Sequence, residues 1–266
     1  MSNPPEYNLI NHLNHILRSL TINYKNWFVL FISCVIMCHK TSIIWGCIAY
    51  ILCIFYAYFA HRISHEPAGF FLNRAHIYHH EHSDWSSHAI QVCVELAASY
   101  SPIVYFYYYL NMENSLFLCD PYIFMFFSIF YTSTHNVNYG MFSVNKVHAK
   151  HHEDYTVNYG PDICDIIFRT KYPENAVENT DHYIPNAIVA TIITVGFRYM
   201  YEGLDGNKQQ LLKHFLFKLY VLIYFIVIYF TMKQTIIDVN KMRERDMNEF
   251  ESRITELIHK LQSNNM

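Results

Sequence analysis

Histidine is the residue type that this chain carries in excess. There are 17 in 266 residues, and they cluster. His61 and His65 are four apart, in His61-Arg62-Ile63-Ser64-His65. His76, His79 and His80 follow as HxxHH, and His148, His151 and His152 repeat that spacing. His135 stands by itself between them. On a helix, positions i, i+3 and i+4 share a face, so each run projects two or three imidazoles together. Imidazoles gathered in this way repel one another when protonated and need partners when neutral. A metal ion supplies a partner to every neutral ring nitrogen. Eight or nine nitrogen donors exceed the three or four of one zinc site and suit two ions. Imidazole accepts zinc, iron, copper and nickel, so donor type alone does not choose the metal. The chain has no GxSxG and no HExxH, and Glu66 after His65 lacks the second histidine of that motif, so a metalloprotease of that type is unsupported.

The elements that must position these histidines are apolar. The chain is 52% hydrophobic and 17% aromatic, with 15% charged residues, against about 25% in soluble domains. Gly 7 and Pro 8 are too few for a turn-rich β-sandwich or a disordered chain. The expectation is an all-α integral membrane helical bundle, with about four to six membrane helices in hairpins and a cytosolic, histidine-rich di-metal cap. The apolar segments pair as Trp27–Cys38 with Ile43–Ala60 across His39-Lys40-Thr41-Ser42. Leu96–Met112 pairs with Pro121–Thr134 across a turn holding Glu113 and Asp120. Tyr183–Phe197 pairs with Leu219–Met232 across a loop with Asp205 and Lys208. None of the six contains Asp, Glu, Lys or Arg, although several are shorter than a full span of roughly 20 residues.

Hairpins that cross and return leave 1–26, 61–95, 135–182 and 233–266 on one side. These stretches hold 14 of the 19 Lys and Arg residues, so the positive-inside rule puts both termini and the histidine clusters in the cytosol. The chain divides into a cytosolic N-terminal segment (1–26), a histidine-box membrane domain (27–182), an additional membrane hairpin (183–232) and a charged amphipathic C-terminal helix (233–266). That tail has 6 cations and 6 anions in 34 residues. Met247, Phe250, Ile254, Leu257 and Leu261 recur at 3, 4, 3, 4 spacing, a stripe of about two heptads that offers a homodimer seam or a face docked on the protein or the membrane. Residues 1–25 are polar and do not read as a cleaved signal peptide. The seven cysteines are odd in number without CxxC, which reads as reduced packing residues. A net charge of −3 disfavours nucleic-acid binding.

The order HxxxH, HxxHH, single His, HxxHH resembles the fatty acid hydroxylase / sterol desaturase superfamily of membrane di-iron oxygenases. Tyr58-x-x-His61-Arg62-x-x-His65 is similar to the first box of that family. After the last box, Asn158-Tyr159-Gly160 and then Asp165-x-x-Phe168-x-Thr170 are similar to its HH…NYG…D..FGT ending. The likeness spans about 58–170 and looks nearest the sterol desaturase-like or alkylglycerol monooxygenase-like branches. It implies His61, His65, His76, His79, His80, His135, His148, His151 and His152 as metal ligands. It implies Asn158, Tyr159, Gly160 and Asp165 as residues that close and support the site, and no catalytic side chain beyond the ligands. It further implies two irons (with zinc able to replace them in purified protein), O2, and a lipid substrate that is hydroxylated or desaturated. Electrons would come from NAD(P)H through a separate cytochrome b5-type protein or reductase, because the chain has no CxxCH or GxGxxG. The endoplasmic reticulum is the expected membrane.

The sequence departs from the family at three places. Val92-Cys93-Val94-Glu95 stands where His-Pro-x-Glu is frequent, Cys164 where Trp is common, and Arg169 at the Gly of FGT. His82 and His88 are the histidines nearest the missing one, and each reads as a surface or packing residue. Two other readings stand beside the oxygenase: a degenerate member that keeps fold and metal without turnover, and a membrane zinc-binding or transport protein. Transporters hold their ionisable ligands within the spans, whereas here the clusters follow the spans.

Overall fold

The computed structural model describes residues 9–38, 42–66, 70–82, 84–103, 120–144, 146–173 and 176–263. The polar break at 39–41, the last part of the third apolar segment with Glu113 and Cys119, and the side chain of Leu261 lie outside the described residues. The described residues form helices and no strand: α1 Leu9–Ile22, α2 Tyr24–Met37, α3 Ile43–Ser64, α4 Phe70–Glu81, α5 Trp85–Ile103, α6 Pro121–Ser133, a π-helical turn Thr134–Met141, α7 Lys146–Glu153, α8 Asp162–Phe168, α9 Ile184–Glu202 and α10 Gly206–Ser263. The all-α membrane bundle is therefore present.

Local chemistry sets the boundaries. Asp120 caps α6, accepting from the Tyr122 and Ile123 amides at 2.9 and 3.1 Å, with Pro121 in the first turn. Asp84 accepts from the Ser87 amide at 2.8 Å at the start of α5. α2, α3, α6 and α9 pack together. Their seam is built of small and aromatic residues, among them Ala49, Cys53, Phe126, Ala187 and Ala190, each fully buried. Small residues let apolar helices approach closely where lipid removes the usual hydrophobic drive. Thr191 donates to Ser33 across this seam at 2.8 Å, and Arg198 donates to the Met37 carbonyl at the end of α2, also at 2.8 Å.

Two helices are long and apolar enough to cross a membrane, Ile43–Ser64 and Gly206–Leu257. A third span is available if α1 and α2, bent by 68° at Asn23, count as one. α6 has 13 residues, about 20 Å of helix, short of a hydrocarbon core of about 30 Å. Lipid-facing apolar side chains such as Ile44, Ile51, Phe225 and Tyr229 are exposed on α3 and α10.

The composition changes at 232/233 but the backbone does not. α10 runs unbroken for 58 residues because no Gly or Pro lies between 207 and 263 to stop it. The second arm of the expected last hairpin and the charged tail are thus one helix. Its middle packs on α4 and α5, where Val227 is fully buried against Ala75, Ile90 and Val94 and Asp238 pairs with Arg74. From Val239 to Leu257 every residue is exposed.

α10 is therefore a buttress for the histidine-bearing α4. Val227→Asp, which puts an unpaired carboxylate into that seam, is expected to cost several kcal/mol and to lower the unfolding temperature in detergent markedly. Glu249→Ala on the exposed distal turn should move it by less than about 0.5 kcal/mol.

Candidate metal centre

α3 buries a stripe at helical spacing, Gly46, Ala49, Tyr50, Cys53, Ala57, His61 and Ser64. His61 is the last turn of the stripe that packs the core, so the helix that anchors the bundle also delivers an imidazole at its end. His65 follows at the C-terminus of the same helix. α4 carries His76, His79 and His80, and α7 carries His148, His151 and His152. The π-helical turn after α6 buries Thr134, His135, Asn136 and Asn138. Such turns are rare and frequent at functional sites.

The nine expected histidines meet in two groups. His61, His65, His76, His80 and His151 place one ring nitrogen each within 4.8 Å of one another, and so do His79, His135 and His152. His148 joins the second group, its Nε2 lying 2.9 Å from His135 Nε2 and 3.0 Å from His152 Nε2. Each HxxHH motif is split between the groups. The i, i+4 pair His76 and His80 turns to the first group and His79 to the second. The pair His148 and His152 turns to the second and His151 to the first.

Protons decide what these groups can do. His61 Nδ1–H donates to the Tyr159 carbonyl at 2.5 Å, and His151 Nδ1–H donates to the Val157 carbonyl at 2.6 Å. A carbonyl only accepts, so both Nδ1 atoms carry the proton and both Nε2 atoms carry lone pairs. Those two Nε2 atoms nevertheless lie 3.0 Å apart, with no proton to share. His76 Nδ1–H donates to Gln91 Oε1 at 3.1 Å, so its Nε2, 2.9 Å from His65 Nε2 and 3.0 Å from His80 Nε2, also points a lone pair inward. Spacings of 2.9–3.0 Å are those of neighbouring donors at right angles about an ion with bonds of about 2.1 Å, the usual metal–imidazole length. The residues present therefore fit two cations held by nitrogen. Burial favours the neutral, ligating form of four of the rings: it pushes His79 down to about 2, His151 to about 3 and His65 and His152 to about 4.

The residues expected to close the site lie against these rings. Tyr159 supplies the carbonyl that orients His61, and its ring packs on His65 and His151. Asn158 donates to the Val147 carbonyl at 3.0 Å, next to His148, and accepts from the Tyr172 amide at 2.9 Å. Asp165 accepts from the Gly160 amide at 2.6 Å and from Thr170 at 2.7 Å, and burial pushes its carboxyl up to about 6. Tyr58 reaches Thr170 at 2.9 Å, which ties this loop to α3. Gly160 has φ +68 and Arg169 φ +60. The left-handed backbone at 169 accounts for glycine being usual there, and Arg169 adopts it at about 1–2 kcal/mol.

α5 contributes what the motifs did not announce. Glu95, 6% exposed, takes the Nδ1–H of His135, accepts from Asn136 at 2.9 Å and accepts from Gln91 Nε2 at 2.9 Å. Gln91 in turn holds His76. A buried chain His76–Gln91–Glu95–His135 thus ties the two groups together. Its sequence signal is Glu95 as the only charged residue in Trp85–Ile103. His88 also faces the second group, with its ring 5.5 Å from that of His79 and its buried Nδ1 without a partner. Gly140 makes room for it, since a Cβ there would lie 2.9 Å from His88 Cε1. His82 instead stacks on Tyr78 at the surface.

Carboxylate support of this kind sets ligand orientation and basicity. Glu95→Gln is expected to weaken metal retention at the second group by about 10- to 100-fold while the first group keeps its ion. Chelator competition followed by metal analysis reads this as loss of one ion of two.

Residues 46–170 match the model of the family described as Fatty acid hydroxylase, and that stretch contains all nine histidines, Glu95 and the 158–165 loop. No curated protein and no solved structure matches the chain. The match supports the fatty acid hydroxylase superfamily and determines no branch within it: residues 46–170 are similar to a fatty acid hydroxylase domain.

Proposed function

We propose that this protein is a membrane-bound di-iron oxygenase that hydroxylates or desaturates a lipid. The observation that carries the reading is the pair of buried histidine groups with converging unprotonated nitrogens, set in the wall of a cavity lined by His61, His135, His148 and aromatic residues. His61, His65, His76, His80 and His151 would hold one ion, and His79, His135, His148 and His152 the other. Bound iron supplies O2 activation and abstraction of hydrogen from an unactivated carbon.

The chain does the rest. Tyr159, Val157, Gln91 and Glu95 fix the ring orientations. Leu30, Ile54, Phe127 and Phe130 offer an apolar wall that excludes water and receives hydrocarbon. Electrons come from a separate cytochrome b5-type or reductase partner, and the histidine groups face the cytosol from the endoplasmic reticulum membrane. The exposed stripe Met247, Phe250, Ile254 and Leu257 is the seam for a second copy. A zinc-transport role fits less well, since the histidine groups lie at and beyond the end of the apolar helix Ile43–Ser64 and not in its middle.

Lipid profiles of cells expressing the wild-type chain or His151→Ala test the reading. Wild type is expected to yield a lipid with one added oxygen or two fewer hydrogens, and His151→Ala at least 100-fold less of it at equal expression. An unchanged profile from wild-type protein that holds two irons, with donor present, would contradict it.

A further inference from the structure

α5 turns one face to the histidines. Positions 88, 91 and 95 are i, i+3 and i+7, which share a side of a helix. Gln91 takes the Nδ1–H of His76 at 3.1 Å, and Glu95 takes the Nδ1–H of His135. His88 stands one turn before Gln91 on that same side. Its ring lies 5.5 Å from the ring of His79, at 66° to it. Its Nδ1 is buried and has no hydrogen-bond partner. The Nδ1 of His79, a residue 4% exposed, is likewise buried and without a partner.

Two orphan nitrogens on neighbouring rings are informative. Buried polar atoms are nearly always paired, and leaving one unpaired costs about 1–3 kcal/mol. A neutral imidazole carries one N–H and one lone pair. A histidine that ligates through Nε2 therefore keeps its proton on Nδ1 and needs an acceptor there. His61, His76, His135 and His151 each have one, and His79 does not. Imidazoles joined by an N–H···N bond of about 3 Å stand with their ring centres about 5 Å apart, close to the separation of His79 and His88. Gly140 leaves the space that His88 occupies, since a Cβ there would lie 2.9 Å from His88 Cε1 and 3.2 Å from its Nδ1.

We propose that His88 accepts the Nδ1–H of His79 and so holds that ring on the second ion, as a positioning residue of the metal centre. α5 then serves three ligands from one face: Gln91 holds His76 of the first group, and Glu95 and His88 hold His135 and His79 of the second. His79 turns away from its α4 neighbours His76 and His80, and an outer hold is what keeps it there. This inference rests on reading the two histidine groups as metal sites and not on the lipid chemistry.

Zinc retention tests this without turnover. The full chain in detergent is loaded with zinc, and the zinc kept per chain is measured during chelator competition for the wild type, His88→Phe, His88→Asn and His82→Phe. His88→Phe keeps a ring beside Gly140 and removes the acceptor. It is expected to release one zinc of two about 10- to 100-fold more readily than the wild type, with the unfolding temperature of the metal-free chain unchanged. His88→Asn offers a carbonyl oxygen in place of Nδ1 and should restore retention toward the wild-type value. His82→Phe, at a ring that stacks on Tyr78 at the surface, should behave as wild type. Wild-type retention of both ions in His88→Phe would overturn the proposal. So would equal loss of both ions, or a His88→Asn chain that loses zinc as readily as His88→Phe. A chain that binds no zinc would overturn it together with the metal sites. Two bound zincs, one of them sensitive to His88, in a chain that forms no oxidised lipid would remove the oxygenase and leave this role of His88.

Discussion

Buried imidazoles with their protons turned outward are the constraint on which the rest of the structure depends. Tyr159 and Val157 carbonyls, Gln91 and Glu95 take the Nδ1 protons of His61, His151, His76 and His135. The Nε2 lone pairs are thereby turned toward one another. Without a cation lone pairs held this close repel, and burial opposes protonation of His76 and His151. The two groups are therefore suited to hold metal ions, and the outer hydrogen bonds fix where their nitrogens converge.

The surrounding architecture follows from that demand. α3 both packs the bundle and ends in His61 and His65, so ligand position is coupled to the membrane core. α4 and α7 each divide an HxxHH between the two groups, which makes neither group independent of the other. α5 bridges them through Gln91 and Glu95, and α10 presses α4 into place through Val227 and the Arg74–Asp238 pair. The cavity reaches the histidines where His61, His135 and His148 share its wall with Leu30, Ile54 and Phe130.

Much of this was legible in the sequence because helical spacing is strict. Low charge, few Gly and Pro and paired apolar segments pointed to the all-α membrane class, and the HxxxH and HxxHH spacing picked out the rings that converge. The division of each HxxHH between the groups was not legible, since i+3 and i+4 share a face and only tertiary packing decides which ring turns where. Glu95 was visible merely as part of a departure from a family pattern, although a lone carboxylate inside an uncharged helix signals a buried partner. His88 read as a surface or packing residue because it belongs to none of the HxxxH or HxxHH runs. Its surroundings come from Gly140 and His79, distant in the chain. The hydropathy change at 232/233 suggested two elements where the absence of Gly and Pro dictates one.

The account stands most directly on where metal lies. Anomalous diffraction from crystals of the metal-loaded protein, collected at the absorption edge of the bound metal, locates each ion independently of any assay. Two peaks are predicted, one enclosed by His61, His65, His76, His80 and His151 and the other by His79, His135, His148 and His152. A single peak shared by all the rings, or a folded protein with no peak among them, would contradict the account.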